Sequence, residues 1–505
     1  KDLPTLLENF VKDYNANVLT FKSCTFRNME SDSWVGGGIG IWFLHNTEKK
    51  YVTIEFVDSI FENITHTNTT IGGGIISILP EGRFSNYRSH VVVRGCIFEN
   101  ITNIDENGKP SGFGGVIYYS NPEGNIIIEG STFKNTSASN SHAIYIESSN
   151  SKQYSIKSCT FVDCSISNPN HFCITLNVIN FDFSFNKINY SAPIKSCRCL
   201  EFNKTAPNSN HVYTGNIYQN IMSNDPSYSS VINERSETIY RVSIKNNTFD
   251  GIKGELDGRC VLIDLQSDLS CFTFENNTFM NCPLGGCLAK IKILNDVVKS
   301  FTVKECNFIR NHGCKHSELK VPSPQILVQR KEGEFNQDPL ELTFENCLFE
   351  GNQPPTNGDK GGAIIYDEIK SVANQKLIFT GCRFIDNFAN KNGGALFIRT
   401  YHGVELNECI FSGNICNEGS SSIFIETEIT WSDSTSRPSN PNPHVSISGC
   451  NFNENKGEST NSISFGSVSN SPISITDNTF SNCIVKEYII EVSTSLISLT
   501  IDGNI

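Results

Sequence analysis

The sequence is poor in methionine, tryptophan and charge. Its 505 residues include 3 Met, 3 Trp and 18% charged residues, against 34 Phe and 37 Gly. No apolar run reaches the roughly 18 residues of a membrane-spanning helix. Lys and Arg (40) are fewer than Asp and Glu (53), and the net charge of −13 argues against nucleic acid or an anionic membrane as a partner. This composition excludes a helical bundle and favours β structure.

One aromatic position recurs along the whole chain. Aligned on it, the sequence divides into about fifteen units of uneven length, which is typical of a repeat protein with variable loops on a constant frame. The anchors of these units are Phe26, Phe61, Phe98, Phe133, Phe161, Phe185, Tyr218, Phe249, Phe279, Phe308, Phe349, Phe384, Phe411, Phe452 and Phe480.

The residues around the anchor repeat most clearly in the later units. Two apolar residues spaced by two predict a strand with one buried face, and a spacing of three to the next inward residue predicts a corner. The inward slot two before the anchor holds Cys306, Cys347, Cys382, Cys409 and Cys450. The slot three after the anchor holds Asn311, Asn352, Asn387, Asn414 and Asn455. We expect both sets to stack as internal ladders along the anchors.

A third apolar run, often after Gly-Gly, follows the variable loop of many units. Three short strands per unit without a helix predict an all-β fold, a right-handed parallel β-helix (solenoid) of about fifteen coils. Serial β-sandwiches are the competing interpretation, but they require hairpin turns every 8–12 residues and predict no recurring Phe.

The nineteen cysteines lack the paired spacing of a zinc site, so we expect no metal and no cofactor. Stacked cysteines in register are poorly oriented for a disulfide. The best candidate pair is Cys260 with Cys287, which occupy equivalent slots in adjacent units, and Cys197 with Cys199 is the alternative.

The late units resemble a known repeat class. Their Phe-x-x-Asn tetrapeptides begin at the five anchors from Phe308 to Phe452, and Gly-Gly-Ala motifs begin at Gly361 and Gly393. These motifs are similar to the polymorphic outer-membrane protein repeats first described in chlamydiae, which also occur in surface proteins of parasitic protists. The resemblance is good over residues 300–460. It implies a β-helical, exported and surface-displayed protein that acts as an adhesin or interaction surface.

An enzymatic interpretation requires a column of outward carboxylates in adjacent coils. The corresponding outward slot instead alternates in sign through Lys245, Glu275, Lys304 and Glu345, which predicts a solvated column of ion pairs. The ten histidines share no slot, and we expect them to be loop residues rather than catalysts. We therefore predict no enzyme activity and no catalytic residues, with a polysaccharide lyase or hydrolase as an alternative.

Eight Asn-x-Ser/Thr sequons are possible glycosylation sites of a secreted protein, although those just after an anchor can instead be turn residues. They are Asn63, Asn68, Asn100, Asn135, Asn189, Asn203, Asn246 and Asn276.

The two ends of the chain differ in pattern. Residues 1–16 have helical apolar spacing and predict a short cap helix, with a degenerate extra coil as the alternative. Residues 17–505 are predicted to form a single parallel β-helix. Its C-terminal end is expected to be open or truncated, because the chain stops one residue short of the next anchor.

The leading hypothesis is a non-enzymatic, secreted or cell-surface β-helical adhesin or interaction scaffold, extracellular in location. Its partner would be a protein or glycan ligand on a cell surface, bound through loops at 104–112, 315–340, 353–360 and 430–443. The alternative is a structural subunit of an extracellular filament, in which copies of the protein assemble end to end.

Overall fold

The structure is a computed structural model. It describes residues 17–32, 39–42, 51–67, 73–79, 88–120, 124–148, 152–164, 172–191, 198–202, 209–223, 231–236, 241–254, 260–265, 272–282, 288–293, 300–311, 326–330, 340–353, 360–367, 375–400, 402–427, 444–457, 462–466, 472–486, 488–492 and 498–505. The predicted cap helix at residues 1–16 lies outside these ranges.

The described residues form strands and no helix. Within them, no helix is long and apolar enough to cross a membrane. The chain divides into two compact units, unit 1 (Lys1–Asn224 with Val231–Val242) and unit 2 (Asp225–Ser230 with Ser243–Ile505). The single-domain boundaries drawn from sequence stay a prediction.

Unit 1 has three parallel sheets, one for each strand position of the coil. Strands are numbered in chain order. The first sheet contains β1 (Asn17–Lys22), β4 (Tyr51–Val57), β7 (Arg88–Arg94), β10 (Asn125–Glu129), β13 (Gln153–Lys157), β16 (Asn180–Ser184) and β19 (Asn210–Thr214). The second contains β2 (Thr25–Asp32), β5 (Ile60–Thr67), β8 (Ile97–Asn103), β11 (Thr132–Ser137), β14 (Thr160–Val162), β17 (Lys187–Asn189) and β20 (Ile217–Gln219). The third contains β3 (Ile39–Trp42), β6 (Ile76–Leu79), β9 (Ile117–Ser120), β12 (Ser141–Glu147), β15 (Phe172–Asn177), β18 (Arg198–Phe202) and β22 (Ile232–Ser236). Unit 1 also contains β21 (Met222–Ser223).

Unit 2 repeats the arrangement. Its first sheet contains β27 (Phe272–Glu275), β30 (Ser300–Lys304), β33 (Leu340–Glu345), β36 (Gln375–Thr380), β40 (Val404–Asn407), β44 (Val445–Ser448), β48 (Pro472–Thr476) and β51 (Ser498–Asp502). The second contains β24 (Thr248–Asp250), β28 (Thr278–Met280), β31 (Asn307–Ile309), β34 (Leu348–Glu350), β37 (Arg383–Ile385), β41 (Ile410–Ser412), β45 (Asn451–Asn453) and β49 (Thr479–Ser481).

The third strands of unit 2 fall into two groups. One group contains β26 (Val261–Leu265), β29 (Ala289–Ile293) and β32 (Ile326–Arg330), and the other contains β35 (Ile364–Asp367), β39 (Leu396–Arg399), β43 (Ile423–Glu426), β47 (Ile463–Phe465) and β50 (Ile490–Val492). A small sheet contains β38 (Phe388–Lys391), β42 (Ile415–Glu418) and β46 (Lys456–Gly457), and two further strands are β23 (Arg241–Lys245) and β25 (Lys253–Gly254).

Within each unit, strands at the same position of successive coils pair in parallel, as β1 pairs with β4 and β30 with β33. Parallel sheets built from strands at the same position of successive coils, with no helix among the residues that the structure describes, are a parallel β-helix. The predicted fold class is therefore confirmed. One predicted variable loop is wrong in part, because residues 315–340 include strand β32, which pairs with β29.

Left-handed residues form the corners of the coil. Around β34, Asn346 has φ 52° and Gly351 has φ 62°, and around β37, Gly381 and Asp386 have φ 62° and 52°. Asn, Asp and Gly adopt this conformation most readily. β34 and β37 are thus three-residue segments between two corners, which lets the side chains before and after each corner all point inward.

Stacked anchor rings lie in the interior of both units. In unit 1, the Phe98 and Phe133 ring centroids lie 5.0 Å apart, and in unit 2 the Phe308–Phe349 and Phe349–Phe384 distances are 4.8 and 4.9 Å. All of these rings are fully buried. Burying one such side chain contributes about 1.5–3 kcal/mol, so the column is a main source of stability.

One predicted anchor is wrong. Strand register pairs Phe161 with Ile188 and Ile188 with Tyr218, so Ile188 is the anchor of that coil. Phe185 instead occupies the left-handed corner, with φ 57° and 64% of its surface exposed. Phe183, two residues earlier, occupies the last inward slot before this corner. The alignment on Phe185 therefore placed the anchor three residues too early.

Candidate functional site

The asparagine ladder of unit 2 lies at the corner after the anchor. Asn352 Nδ2 donates to the Phe308 carbonyl at 2.8 Å, and its Oδ1 accepts from the Asn311 backbone N–H at 3.0 Å. The same two bonds recur at Asn387, Asn414 and Asn455, and the five ladder amides are nearly or fully buried. Because the corner removes these backbone groups from the sheet ladder, each amide satisfies groups that would otherwise be unpaired.

The cysteine ladder lies at the corner before the anchor. Cys306, Cys347, Cys382, Cys409 and Cys450 are buried free thiols. Cys382 Sγ lies 3.2 Å from the Phe344 carbonyl oxygen of the preceding coil, and Cys347 and Cys409 make the equivalent contact at 3.3 and 3.5 Å. Burial raises the pKa of Cys306 to about 12. The thiolate needed for nucleophilic chemistry or metal binding is therefore disfavoured at neutral pH.

Asparagine replaces cysteine in this slot elsewhere. Asn186 donates from Nδ2 to the Ile156 carbonyl at 2.8 Å, and Asn216 does the same to Phe183. In unit 2, Asn277 donates to Ile244 at 2.8 Å. The side chain in this slot, thiol or amide, reaches the same backbone carbonyl.

The described sequons divide by environment. Asn63, Asn100 and Asn135 are exposed corner residues with φ near 55°. The Nδ2 of Asn100 donates to the Oδ1 of Asn63 at 2.9 Å, and that of Asn135 donates to Asn100 at 3.0 Å. Asn276 donates to Asn246 at 2.8 Å on the other corner, and Asn189 lies at the end of β17. Asn68 and Asn203 lie outside the described residues, and glycosylation stays a prediction for all eight.

The predicted disulfide partners are only half described. Cys260 is buried at the start of a third strand, whereas Cys287 lies outside the described residues. Cys199 of the alternative pair is likewise buried, and Cys197 is outside. Both pairings stay predictions.

The outward charge column of unit 2 forms ion pairs. Lys245 Nζ lies 2.8 Å from Glu275 Oε2, and Lys304 Nζ lies 3.7 Å from Glu345 Oε1. The hydrogen bond from Lys245 lowers the pKa of the Glu275 carboxyl. Partly exposed pairs of this kind add little stability. Within the described ranges, no group of three or more His, Cys, Asp or Glu side chains is arranged to hold a metal ion.

The prediction that histidines are loop residues is wrong for four of them. His66, His90, His142 and His211 lie in strands and are buried. His66 Nδ1 lies 2.5 Å from Ser31 Oγ, and burial lowers its pKa to about 4, so the ring is neutral at neutral pH. The four buried histidines occupy different inward and outward slots of the coil. A search for one slot shared by the histidines therefore could not identify them as strand residues.

Sequence reasoning missed an aromatic surface on the outer face of the third sheet of unit 1. Tyr118 and Tyr145 pair in register on β9 and β12, with ring centroids 5.4 Å apart. Tyr145 lies between the fully buried Ile144 and Ile146, and Tyr118 lies between the fully buried Ile117 and Tyr119, so both point away from the interior. Phe113 packs edge-on against Tyr145 at 5.1 Å.

Polar groups border this surface. Asn177 Nδ2 donates to the Tyr145 hydroxyl at 3.0 Å. Glu147, two residues after Tyr145 on β12, pairs in register with Asn177 on β15. Phe113, Tyr145, Glu147 and Asn177 are partly exposed, and Tyr118 is 7% exposed. We call Phe113, Tyr118, Tyr145, Glu147 and Asn177 the unit 1 aromatic face. An aromatic pair beside an amide and a carboxylate can hold a ligand that has both apolar and hydroxyl surfaces.

Unit 2 has an outward aromatic pair on the equivalent strands. Phe397 and Phe424 stack at 5.3 Å with their planes 3° apart. The Lys360 ammonium lies 4.4 Å from the Phe397 ring centroid, and Arg399 Nε bonds Glu426 at 2.6 Å. We call Lys360, Phe397, Arg399, Phe424 and Glu426 the unit 2 aromatic face. Phe397 is fully buried, so this face is less accessible than that of unit 1.

Comparison with known proteins gives no family. No protein-family model and no curated protein matches the chain. Among solved structures, a PL6 family alginate lyase, AlyGC, is 9% identical and aligns over 99% of both chains with a TM-score of 0.18. A similarity this low indicates nothing about the activity of this chain.

Proposed function

We propose that this protein is a non-enzymatic, secreted or cell-surface β-helical interaction scaffold that binds a neutral glycan through the unit 1 aromatic face. The observation that carries the proposal is the outward Tyr118–Tyr145 pair, bordered by Asn177 and Glu147. The resemblance of the late units to surface-displayed repeats supports the location and the adhesin role.

The chemistry of the face favours a sugar over other ligands. A pyranose ring presents C–H groups that pack on an aromatic ring and hydroxyls that bond amides and carboxylates. The Glu147 carboxylate and the net charge of −13 disfavour an acidic polysaccharide. The aromatic side chains are held by packing on regular strands, so little ordering is required when a ligand binds.

Binding to an array of neutral and acidic glycans tests the proposal. We expect the wild-type protein to bind neutral glycans, and Tyr145→Ala to weaken that binding about tenfold, the loss expected for one aromatic contact. Phe185→Ala is the matched control, because it removes an exposed aromatic side chain of unit 1 that lies off this face.

Two results would contradict the proposal. One is neutral glycan binding that is equal in wild type and Tyr145→Ala, with both proteins folded by circular dichroism. The other is release of reducing ends or unsaturated sugars from polysaccharides, which would support the lyase or hydrolase alternative.

A further inference from the structure

A buried polar cluster lies inside unit 1. His211 and Tyr213 point inward from β19, and Glu234 points inward from β22, and all three side chains are 0% exposed. His211 Nδ1 lies 2.9 and 3.2 Å from the two Glu234 oxygens, and Nε2 lies 3.1 Å from the Ile179 carbonyl oxygen. The Tyr213 hydroxyl donates to Glu234 Oε1.

The hydrogen-bond partners fix the number of protons in the cluster. A backbone carbonyl only accepts, so His211 Nε2 must carry a proton. The contact between Nδ1 and the Glu234 carboxyl needs a second proton, because a carboxylate and an imidazole lone pair would repel each other. Tyr213 donates to the same carboxyl, which favours the carboxylate form, so the second proton lies on Nδ1 and His211 is an imidazolium.

We propose that the His211–Glu234–Tyr213 cluster is a proton-dependent latch that holds β19 and β22 of unit 1 together. Loss of the Nδ1 proton would leave the buried Glu234 carboxylate facing a ring nitrogen lone pair. The β19–β22 region would then open, while the coils of unit 1 from β4 to β12, which do not contain this cluster, would stay closed.

The surrounding groups leave His211 as the group that titrates. Burial raises the pKa of Tyr213 and of Tyr218 on β20 well above the usual value, so both hydroxyls stay protonated. From β18, Cys199 is buried near Tyr218. On β16, the inward residues Phe181 and Phe183 are apolar, and the Asp182 carboxylate pairs with Lys157. The backbone carbonyls of Val178 and Ile179 complete the environment of the ring.

The sign of the pH effect follows from the direction of the His211 shift. Burial alone would lower the pKa of His211, but the charge and hydrogen bond of Glu234 and the carbonyls outweigh it and raise the pKa above the usual value of about 6.5. The latch therefore contributes its full stability below about pH 6.5 and loses it as pH rises through the higher folded-state pKa.

Hydrogen–deuterium exchange of the intact protein, corrected for intrinsic rates, tests the latch. Above about pH 6.5, we expect exchange in residues 209–214 and 231–236 to quicken about tenfold per pH unit until the folded-state pKa is reached. Residues 97–103 of β8 should show no such change. Nitrogen NMR of labelled histidine should show His211 with both ring nitrogens protonated at pH 6.5.

Glu234→Gln tests the cause, because glutamine keeps the shape and removes the charge. This variant should lose the pH dependence of exchange and show a His211 ring that is neutral at pH 6.5. His66→Gln is the matched control, since His66 is also buried but has a lowered pKa. A neutral His211 at pH 6.5 in the wild type, or exchange at β19 and β22 that is independent of pH, would overturn the proposal even if neither variant folds.

Discussion

The side-chain Oδ1 of Asn387 lies 3.0 Å from the backbone nitrogen of Asn352, one coil earlier in unit 2. The same amide donates from Nδ2 to the Phe349 carbonyl at 2.9 Å. One side chain thus satisfies two buried backbone groups that the corner removes from the sheet.

We expect Asn387→Ala to lower the free energy of unfolding by about 2–6 kcal/mol, because it leaves a buried N–H and a buried carbonyl unpaired at about 1–3 kcal/mol each. Chemical denaturation measures the change. The control is Asn417→Ala, which removes an exposed asparagine whose Nδ2 donates to Asn390 Oδ1 at 3.2 Å. Equal effects at the two positions would contradict the structural role of the ladder.

The anchor assignment predicts opposite results at two phenylalanines. Phe349→Ala should cost about 3–5 kcal/mol, the usual loss for a buried aromatic ring, because Phe349 is fully buried between Phe308 and Phe384. Phe185→Ala should change stability by less than about 0.5 kcal/mol, since the side chain is mostly exposed. Thermal and denaturant unfolding would distinguish the two variants. A large loss of stability in Phe185→Ala would contradict the assignment of Ile188 as the anchor of that coil.

The cysteine ladder should resist alkylation while the protein is folded. Burial keeps the ladder thiols inaccessible, and it raises the pKa of Cys306 to about 12. Cys24, which is partly exposed, serves as the internal control. Mass spectrometry after iodoacetamide treatment at pH 8 should find Cys24 modified first and Cys306, Cys347, Cys382, Cys409 and Cys450 modified only after unfolding. Rapid labelling of the ladder in native protein would contradict its burial.

Two corner glycines separate backbone strain from steric clash. Gly130 has φ 58° with no atom within 4 Å of an added Cβ, whereas at Gly413, with φ 66°, that Cβ would meet Asp386 Oδ1 at 2.1 Å. Gly130→Ala should therefore cost about 1–2 kcal/mol from the left-handed conformation alone. Gly413→Ala should cost more, because the Asp386 carboxyl must also move. Equal losses in unfolding experiments would mean that the Asp386 carboxyl moves aside without cost.

The repeat made the fold predictable because each coil presents the same inward slots. Many of the αL corners are visible in sequence as Asn, Asp or Gly at fixed distances from the anchor, whereas others carry residues such as Ser23, Glu305 and Arg310. A further relationship appears only in the structure: at the corners of Gly413 and Gly381, the side chains of Asp386 and Asn346 occupy the space that a Cβ would fill.

Features that occur once were not predictable in this way. His211 and Glu234 are 23 residues apart with no repeated counterpart, and they meet only because the inward faces of β19 and β22 approach each other inside unit 1. Tyr118 and Tyr145 belong to third-strand runs in which inward and outward residues are both apolar, so the sequence pattern did not reveal which of them faces outward.

A density map of the protein at side-chain resolution tests the central claim, that each coil wraps around one column of anchor residues. The account predicts Phe308, Phe349 and Phe384 in parallel stacks, with centroids 4.8 and 4.9 Å apart. Rings that are separated from one another or exposed to solvent would contradict the coil assignment, and with it the ladders and the outward faces derived from it.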